Sequence, residues 1–305
     1  MQLGCAVPVS GPWATAEAID EIATLAESLG YHSLWVFQRL LAPVDEQARH
    51  RLDPQYRSVQ DPLTVLGYLA ARTREPRLGV AVVNAPYYSP VLLAKQLTTL
   101  DHLSRGRLDV GIGLGWMHEE FEASGVPFDH RGARTREHVE CLRAIWCQDV
   151  VEHHGLYYDI PRSRIDPKPV QRPHPPLLFG GSAPPSLRRA GRMATGWVSS
   201  SRADLASLAD SIGIVRAAAL EAGRDPDALR FVCRAVVKVR ENERGPLTGS
   251  LDDIRADLAT VAATGMTEAF VDLNFDPAIS DLDADPDTSR RHARRVIEAL
   301  APNAS

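Results

Sequence analysis

The chain has 305 residues, with 44% hydrophobic and 24% charged side chains and a formal net charge of −5. A chain of this length can bury a large core, and an acidic balance without any basic run argues against a nucleic-acid or anionic-membrane surface. It has no run of about 18 apolar residues, so no bilayer-spanning segment is expected.

From the N-terminus, Met1-Gln2-Leu3-Gly4-Cys5 lacks a basic start and enters an apolar run directly. That pattern predicts no signal peptide and a cytoplasmic location. Leu3–Val9 is expected to be a strand. The helical spacing of Ile19, Ile22, Leu25, Ala26 and Leu29 predicts a helix from Thr15 to Leu29, stopped by Gly30. His32–Phe37 is the second strand, Leu63–Thr73 a helix, and Leu78–Val83 a strand suited to burial on both faces. Pro90–Leu103 is helical, and Leu108–Ile112 is the fourth strand. A long connection follows, with a helix over Thr135–Trp146. His153–Pro176 has no clear periodicity; it contains Pro161, Pro167, Pro169, Pro173, Pro175 and Pro176 and is expected to wrap the surface. Strands Leu177–Phe179, Gly196–Ser199, Arg230–Val239 and Glu268–Leu273 then alternate with helices Pro185–Ala194, Ala203–Ala222, Leu251–Ala263 and Ser289–Leu300. The cysteines Cys5, Cys141, Cys147 and Cys233 have no CxxC spacing, which predicts free thiols in a reducing compartment.

Eight strands, each followed by a helix, demand parallel pairing. At this length they favour a single α/β domain over residues 1–305, a TIM (β/α)8 barrel with inserted segments after strand 4 and in the connection to strand 5. A doubly wound open sheet is the alternative. Gly113-Leu114-Gly115 speaks against it, because the third glycine and the later acidic residue of a dinucleotide fold are missing. Barrel chemistry lies at the C-terminal strand ends, and three such ends stand out.

Gly180 and Gly181 end a strand, and Ser182 is placed to cap a helix opening with Pro184 and Pro185. Bare N–H groups at a helix start attract phosphate; the two glycines could equally make only a tight turn. Gly111, Gly113 and Gly115 alternate before Trp116. They either let a flat ligand approach the backbone or relieve a crowded barrel mouth, and Trp116 either stacks on a ring or fills the core. Asn84, where a strand meets Pro86, either donates to a ring carbonyl or satisfies the turn. Gln38, Arg39, His102, His118, Glu119 and Glu120 are the candidate acid–base groups. His118-Glu119-Glu120 lacks the second histidine of a zinc helix, since Glu122 stands there, so it reads as a solvated helix start and no metal site is expected. His102 is read as a surface or capping residue. No GxSxG nucleophile is visible.

Taken together, Ala94 through Trp116, Arg131-Gly132 through Trp146, Pro167 through Gly181, and Leu187 through Trp197 resemble the bacterial luciferase-like monooxygenase superfamily, and most closely its probable coenzyme F-420-dependent oxidoreductases. The resemblance covers about Leu3–Ser200 well and the rest weakly. It implies a flavin or deazaflavin over the barrel mouth, against a bulged third strand with a non-proline cis peptide around Val82, Val83 and Asn84. It also implies a phosphate near Gly180, Gly181 and Ser182, with Trp197, Ser199 and Ser200 nearby. Phe37, Gly113, Leu114, Gly115 and Trp116 would complete the cofactor site, and Gln38 and Arg39 are the catalytic candidates.

Three features depart from the family pattern. Gln38-Arg39 replaces the usual acidic-residue–histidine pair, Thr195 replaces the usual aspartate, and the acidic residue that sugar-phosphate dehydrogenases of the superfamily use near Trp116 is missing. Arg39 suits an anionic substrate or a developing enolate; it could instead be a surface residue paired with Asp45 or Glu46. The resemblance implies hydride transfer between coenzyme F-420 and a small organic substrate, in a homodimer. One alternative is an FMN monooxygenase served by a separate reductase, and another is a barrel that binds without catalysis.

Overall fold

A computed structural model describes residues 1–44 and 52–302. Eight parallel strands close into one barrel: β1 (Gln2–Ala6), β2 (Ser33–Val36), β3 (Arg77–Asn84), β4 (Leu108–Gly113), β5 (Leu177–Gly180), β6 (Gly196–Val198), β7 (Arg230–Val236) and β8 (Glu268–Asp272). Around them run α1 (Ala16–Ser28), α2 (Pro62–Arg72), α3 (Pro90–Leu103), α4 (His118–Ala123), α5 (Arg131–Cys147), α6 (Pro184–Met193), α7 (Leu208–Glu221), α8 (Leu251–Ala263), the short α9 (Pro277–Ser280) and α10 (Pro286–Ala299). This is the TIM barrel expected from the alternation, with the insertion between β4 and β5.

Several boundaries move for local reasons. β1 stops at Ala6 because the Asn274 side chain takes over the ladder there, accepting from Val9 N at 2.9 Å and donating to Val7 O at 3.0 Å. α5 starts at Arg131, a turn earlier than expected, since His130 adopts a left-handed φ of 58° and its carbonyl accepts from Arg134 N. Within the proline-rich stretch, Val151–His154 and Asp159–Ser163 form an antiparallel hairpin that the periodicity did not disclose. α7 begins at Leu208, because the Asp204 side chain caps a short 3-10 turn ahead of it. The run expected to end at Val239 leaves the barrel after Val236, and Lys238–Val239 pairs instead with Thr248–Gly249. Asp285 caps α10, which therefore opens at Pro286.

The barrel interior is layered. At its N-terminal end Asp109, fully buried, accepts from Arg77 Nη2 at 2.6 Å and Arg230 Nη1 at 2.8 Å, and Arg230 also reaches Glu268 at 3.0 Å. Charges in this dry layer compensate one another. Above it Trp35 stacks on Phe270 at 4.9 Å. Gly79 makes room for that indole, since a Cβ there would lie 2.4 Å from Trp35 Cε3. Toward the C-terminal ends the inner residues shrink to Ala6, Ala81, Gly113, Gly180 and Val198. With bulk below and small residues above, the barrel opens into a cavity.

Candidate active site at the barrel mouth

A cavity of about 370 Å³ lies at the C-terminal strand ends. Its β3 wall is irregular: the pairing of β3 with β4 shifts register between Val80 and Val83, and the Ala81–Val82 peptide is cis. The bulge thus begins one residue before the span the resemblance implied. Val82 lines the cavity, whereas Val83 points the other way and is fully buried in the outer core. The alternating glycines serve this bulge. A Cβ on Gly113 would meet Val82 Cγ2 and Asn84 Oδ1 at 2.4 Å, and one on Gly180 would meet Val82 Cγ1 at 2.9 Å. Of the two readings of these glycines, the crowded mouth describes Gly113.

Gln38 and Asn84 brace the same wall. Gln38 Oε1 accepts from Asn84 N at 2.8 Å, Gln38 Nε2 donates to Tyr88 Oη at 2.6 Å, and Asn84 Oδ1 accepts from Gly115 N at 3.0 Å. The oxygen of Asn84 therefore satisfies the turn, and its amide lines the cavity. Both ends of the Gln38 amide are used, so the geometry gives it a positioning role.

Arg39 is no surface arginine. It is 9% exposed, lies between the rings of Tyr56 (4.8 Å) and Trp116 (4.9 Å), and pairs with Glu120 at 3.0 Å. Asp45 and Glu46, the partners the sequence offered, lie outside the described residues. Glu120 is 1% exposed and also accepts from Leu40 N and Tyr87 Oη, so the expected solvated helix start is in fact a buried carboxylate. It joins Trp116 through Arg39, supplying an acidic group where the sequence showed none. Trp116 is 45% exposed and lines the cavity with Leu114 and Gly115; it is not core. His118 stacks on Phe128, and His102 Nε2 donates to the Lys168 carbonyl at the surface.

Across the cavity, Gly180, Gly181 and Ser182 line one wall with Ser199 and Ser200, and Phe37 stands on the far side. Gly181 has a φ of +111°, and its carbonyl accepts from Trp197 Nε1 at 2.8 Å. Trp197 is thus buried behind the turn that it holds, and does not line the cavity. The cap of α6 is Ala183, not Ser182, and it makes no side-chain hydrogen bond to the helix start. Ala183 and Ser186 line the cavity at this end, as does Arg131 from α5. Exposed backbone at a helix start beside a guanidinium is chemistry for a phosphate.

The sequence model of the luciferase-like monooxygenase family matches residues 3–295. The chain belongs to the luciferase-like monooxygenase family. It is 37% identical over 188 residues to an uncharacterised protein of Mycobacterium tuberculosis, covering 59% of this chain and 66% of that one. It is 31% identical over 252 residues to the FMNH2-dependent dimethylsulfone monooxygenase of Pseudomonas putida, covering 82% of this chain and 63% of the relative. The match therefore spans about two thirds of these relatives' length. Among solved structures, monooxygenase RslO1 of Streptomyces bottropensis superposes with a TM-score of 0.80 at 25% identity, each chain fully covered. An F420-dependent secondary alcohol dehydrogenase shares the fold, with a TM-score of 0.78 at 17% identity over 98% of each chain.

This luciferase-like barrel carries three charged or aromatic cavity residues that sequence reasoning overlooked, Arg234, Tyr56 and Arg131. Arg234 on β7 is 8% exposed, with Nε 2.6 Å from Asp272 and its guanidinium carbon 4.4 Å and 4.7 Å from the ring centres of Phe37 and Phe275. A signal was available: Arg230, Val232 and Arg234 alternate on one face of an otherwise apolar strand. Tyr56 and Arg131 were missed for a different reason, because a 3-10 turn and a helix start carry no periodicity to point with. Among the described residues no group of three His, Cys, Asp or Glu side chains could hold a metal, and no helix is long and apolar enough to cross a membrane.

Proposed function

We propose that this luciferase-like enzyme moves a hydride between coenzyme F-420 and a small organic substrate. The observation that carries this reading is the set of arginines beyond the phosphate wall. Arg131 lines the cavity and stacks on Phe128 at 4.0 Å. Arg189, one helical turn past Ser186, has its Nη2 2.9 Å from where a Gly132 Cβ would stand. Burial lowers the pKa of Arg189, and neighbouring Arg136 lowers it further. Among the described residues, Arg131, Arg136 and Arg189 have no carboxylate partner, and they stand together: Arg131 and Arg136 on α5, Arg189 on α6 beside Gly132. FMN ends at its phosphate, but coenzyme F-420 continues into a lactyl group and glutamate carboxylates. With Arg131 on the phosphate, Arg136 and Arg189 are left beyond it to meet the longer anionic tail.

When bound, the deazaflavin supplies the hydride-carrying carbon. This chain would contribute the backbone around Gly181, Ser182 and Ala183 with Arg131 for the phosphate, the Ala81–Val82 bulge as an apolar platform, and Trp116 with Arg39 as the rim. The second reading, an FMN monooxygenase fed by a separate reductase, is favoured by the likeness to the dimethylsulfone monooxygenase. Titration with coenzyme F-420 and FMN in parallel, followed by Trp116 fluorescence, separates the two. Micromolar F-420 binding with weak FMN binding is expected. Tight FMN binding without F-420 moves the chain to the monooxygenase reading, and binding of neither favours a non-catalytic barrel. We further propose a cytoplasmic homodimer.

A further inference from the structure

We propose that Arg234 holds the carbonyl oxygen of a neutral ketone, aldehyde or enone substrate at the floor of the cavity. This inference deepens the hydride-transfer reading and rests on it. Only one of the guanidinium's bonds is short, Nε to Asp272 at 2.6 Å. Nη1 has only a long 3.4 Å contact to the Ala81 carbonyl, and Nη2 has no hydrogen-bond partner among the described residues. A guanidinium more than nine-tenths buried with its terminal donors unfilled is costly, unless a ligand completes it.

The charge balance decides which ligand. Asp272 is fully buried and already neutralises Arg234, while its other oxygen accepts from the backbone and side chain of Asn274. A carboxylate or sulfonate would bring a second negative charge to a pair already compensated in a dry site. A carbonyl oxygen brings none and only accepts, which suits a guanidinium whose terminal donors are unfilled. The surroundings agree, since Phe37, Ala81 and Val198 line the cavity with Arg234. Placement separates this donor from the phosphate wall. The bulge and the phosphate wall belong to β3 through β6, whereas Arg234 stands on β7 with Phe37 after β2 and Phe275 after β8. It reaches the Ala81 carbonyl across the barrel.

The test uses the full chain without added cofactor and three six-membered-ring probes: cyclohexanone, methylenecyclohexane and cyclohexanecarboxylate. Calorimetry should give cyclohexanone an affinity about tenfold above either of the others. Infrared difference spectra with ¹³C-labelled carbonyl should show its stretch moved to lower frequency on binding. In Arg234→Lys, which keeps a charge beside Asp272 but loses the fork, the preference and the shift should both vanish. The Kd for coenzyme F-420 should stay within about twofold. Equal affinity for ketone and hydrocarbon, tighter binding of the carboxylate, or an unchanged carbonyl shift in Arg234→Lys overturns the proposal. So does a variant that keeps the ketone preference but loses F-420, because the donor then serves the cofactor. The wild-type comparison decides even if the variant does not fold. Failure of F-420 to bind wild-type protein that prefers the ketone would count against the cofactor reading alone.

Discussion

Gly180 and Val82 form a pair whose sizes are coupled. Gly180 has an ordinary φ, so alanine there meets no backbone objection, yet its Cβ would stand 2.9 Å from Val82 Cγ1 with every other neighbour at 3.7 Å or beyond. Gly180→Ala should therefore cost about 1–3 kcal/mol by overpacking. The same change in a Val82→Ala background should cost much less, a coupling that thermal unfolding of the four proteins measures. Additive effects would mean that Val82 does not occupy the space beside Gly180. Gly181 is a poorer probe of the phosphate wall, because its φ of +111° penalises any side chain. Arg131 is a cleaner one. It has no carboxylate partner among the described residues and only its stack on Phe128 to lose, so Arg131→Ala should lower the melting temperature by no more than a few degrees. Its loss should weaken cofactor binding by roughly 1.5–3 kcal/mol, the worth of one charged hydrogen bond. An affinity unchanged within twofold would place the phosphate elsewhere.

α5 ties the insertion to the barrel mouth through a histidine that no sequence motif marks. His138 is fully buried, and its Nε2 donates to the Tyr88 carbonyl at 3.2 Å, just past the end of β3. Burial lowers its pKa from 6.5 to about 4. The unfolded chain thus takes up this proton below pH 6.5, and the folded chain only near pH 4. The stability from neutral His138 is complete above pH 6.5 and is lost as pH falls toward 4, by up to ~3 kcal/mol. Urea midpoints measured from pH 7 to 4 should fall with acid in the wild type and less steeply in His138→Gln. Some slope should remain, because burial also lowers His174. Identical slopes would show that His138 is protonated alike in both states. Elements of this kind mark the limit of sequence reading. The eight strands were legible because barrel strands buried on both faces are short apolar runs between helical periods. The hairpin at Val151–Ser163 was not, since its burial alternates weakly and its charged residues hide the pattern. The site divides likewise. Glycines and strand ends announced the mouth, whereas the partners of Arg39 and Arg234 come from residues dozens of positions away.

Over the whole molecule, most apolar surface is buried in the barrel and its helical coat, which makes the residue on α3 informative. Leu92 and Leu103 are 53% and 56% exposed and stand eleven positions apart, within about 20° of the same helix face. Val170, 46% exposed, extends the patch: its Cγ1 is 3.5 Å from where a Cβ on Gly106 would lie, just past the end of α3. Exposed leucines at both ends of one helix face, with the polar Thr99 and Gln96 between them and Lys95 and His102 alongside, have the mixed make-up of a protein interface. For a homodimer this face forms the shared contact about a two-fold axis, each α3 meeting its copy. Sedimentation at micromolar concentration should then give twice the 33.4 kDa of one chain. Leu103→Arg should shift the protein to the monomer, because it puts like charges opposite one another across the axis. No α3 residue lines the cavity, so the monomeric variant should still bind the cofactor within about twofold. A wild-type protein that sediments as a monomer would refute the dimer, and a Leu103→Arg protein that stays dimeric would move the interface off α3.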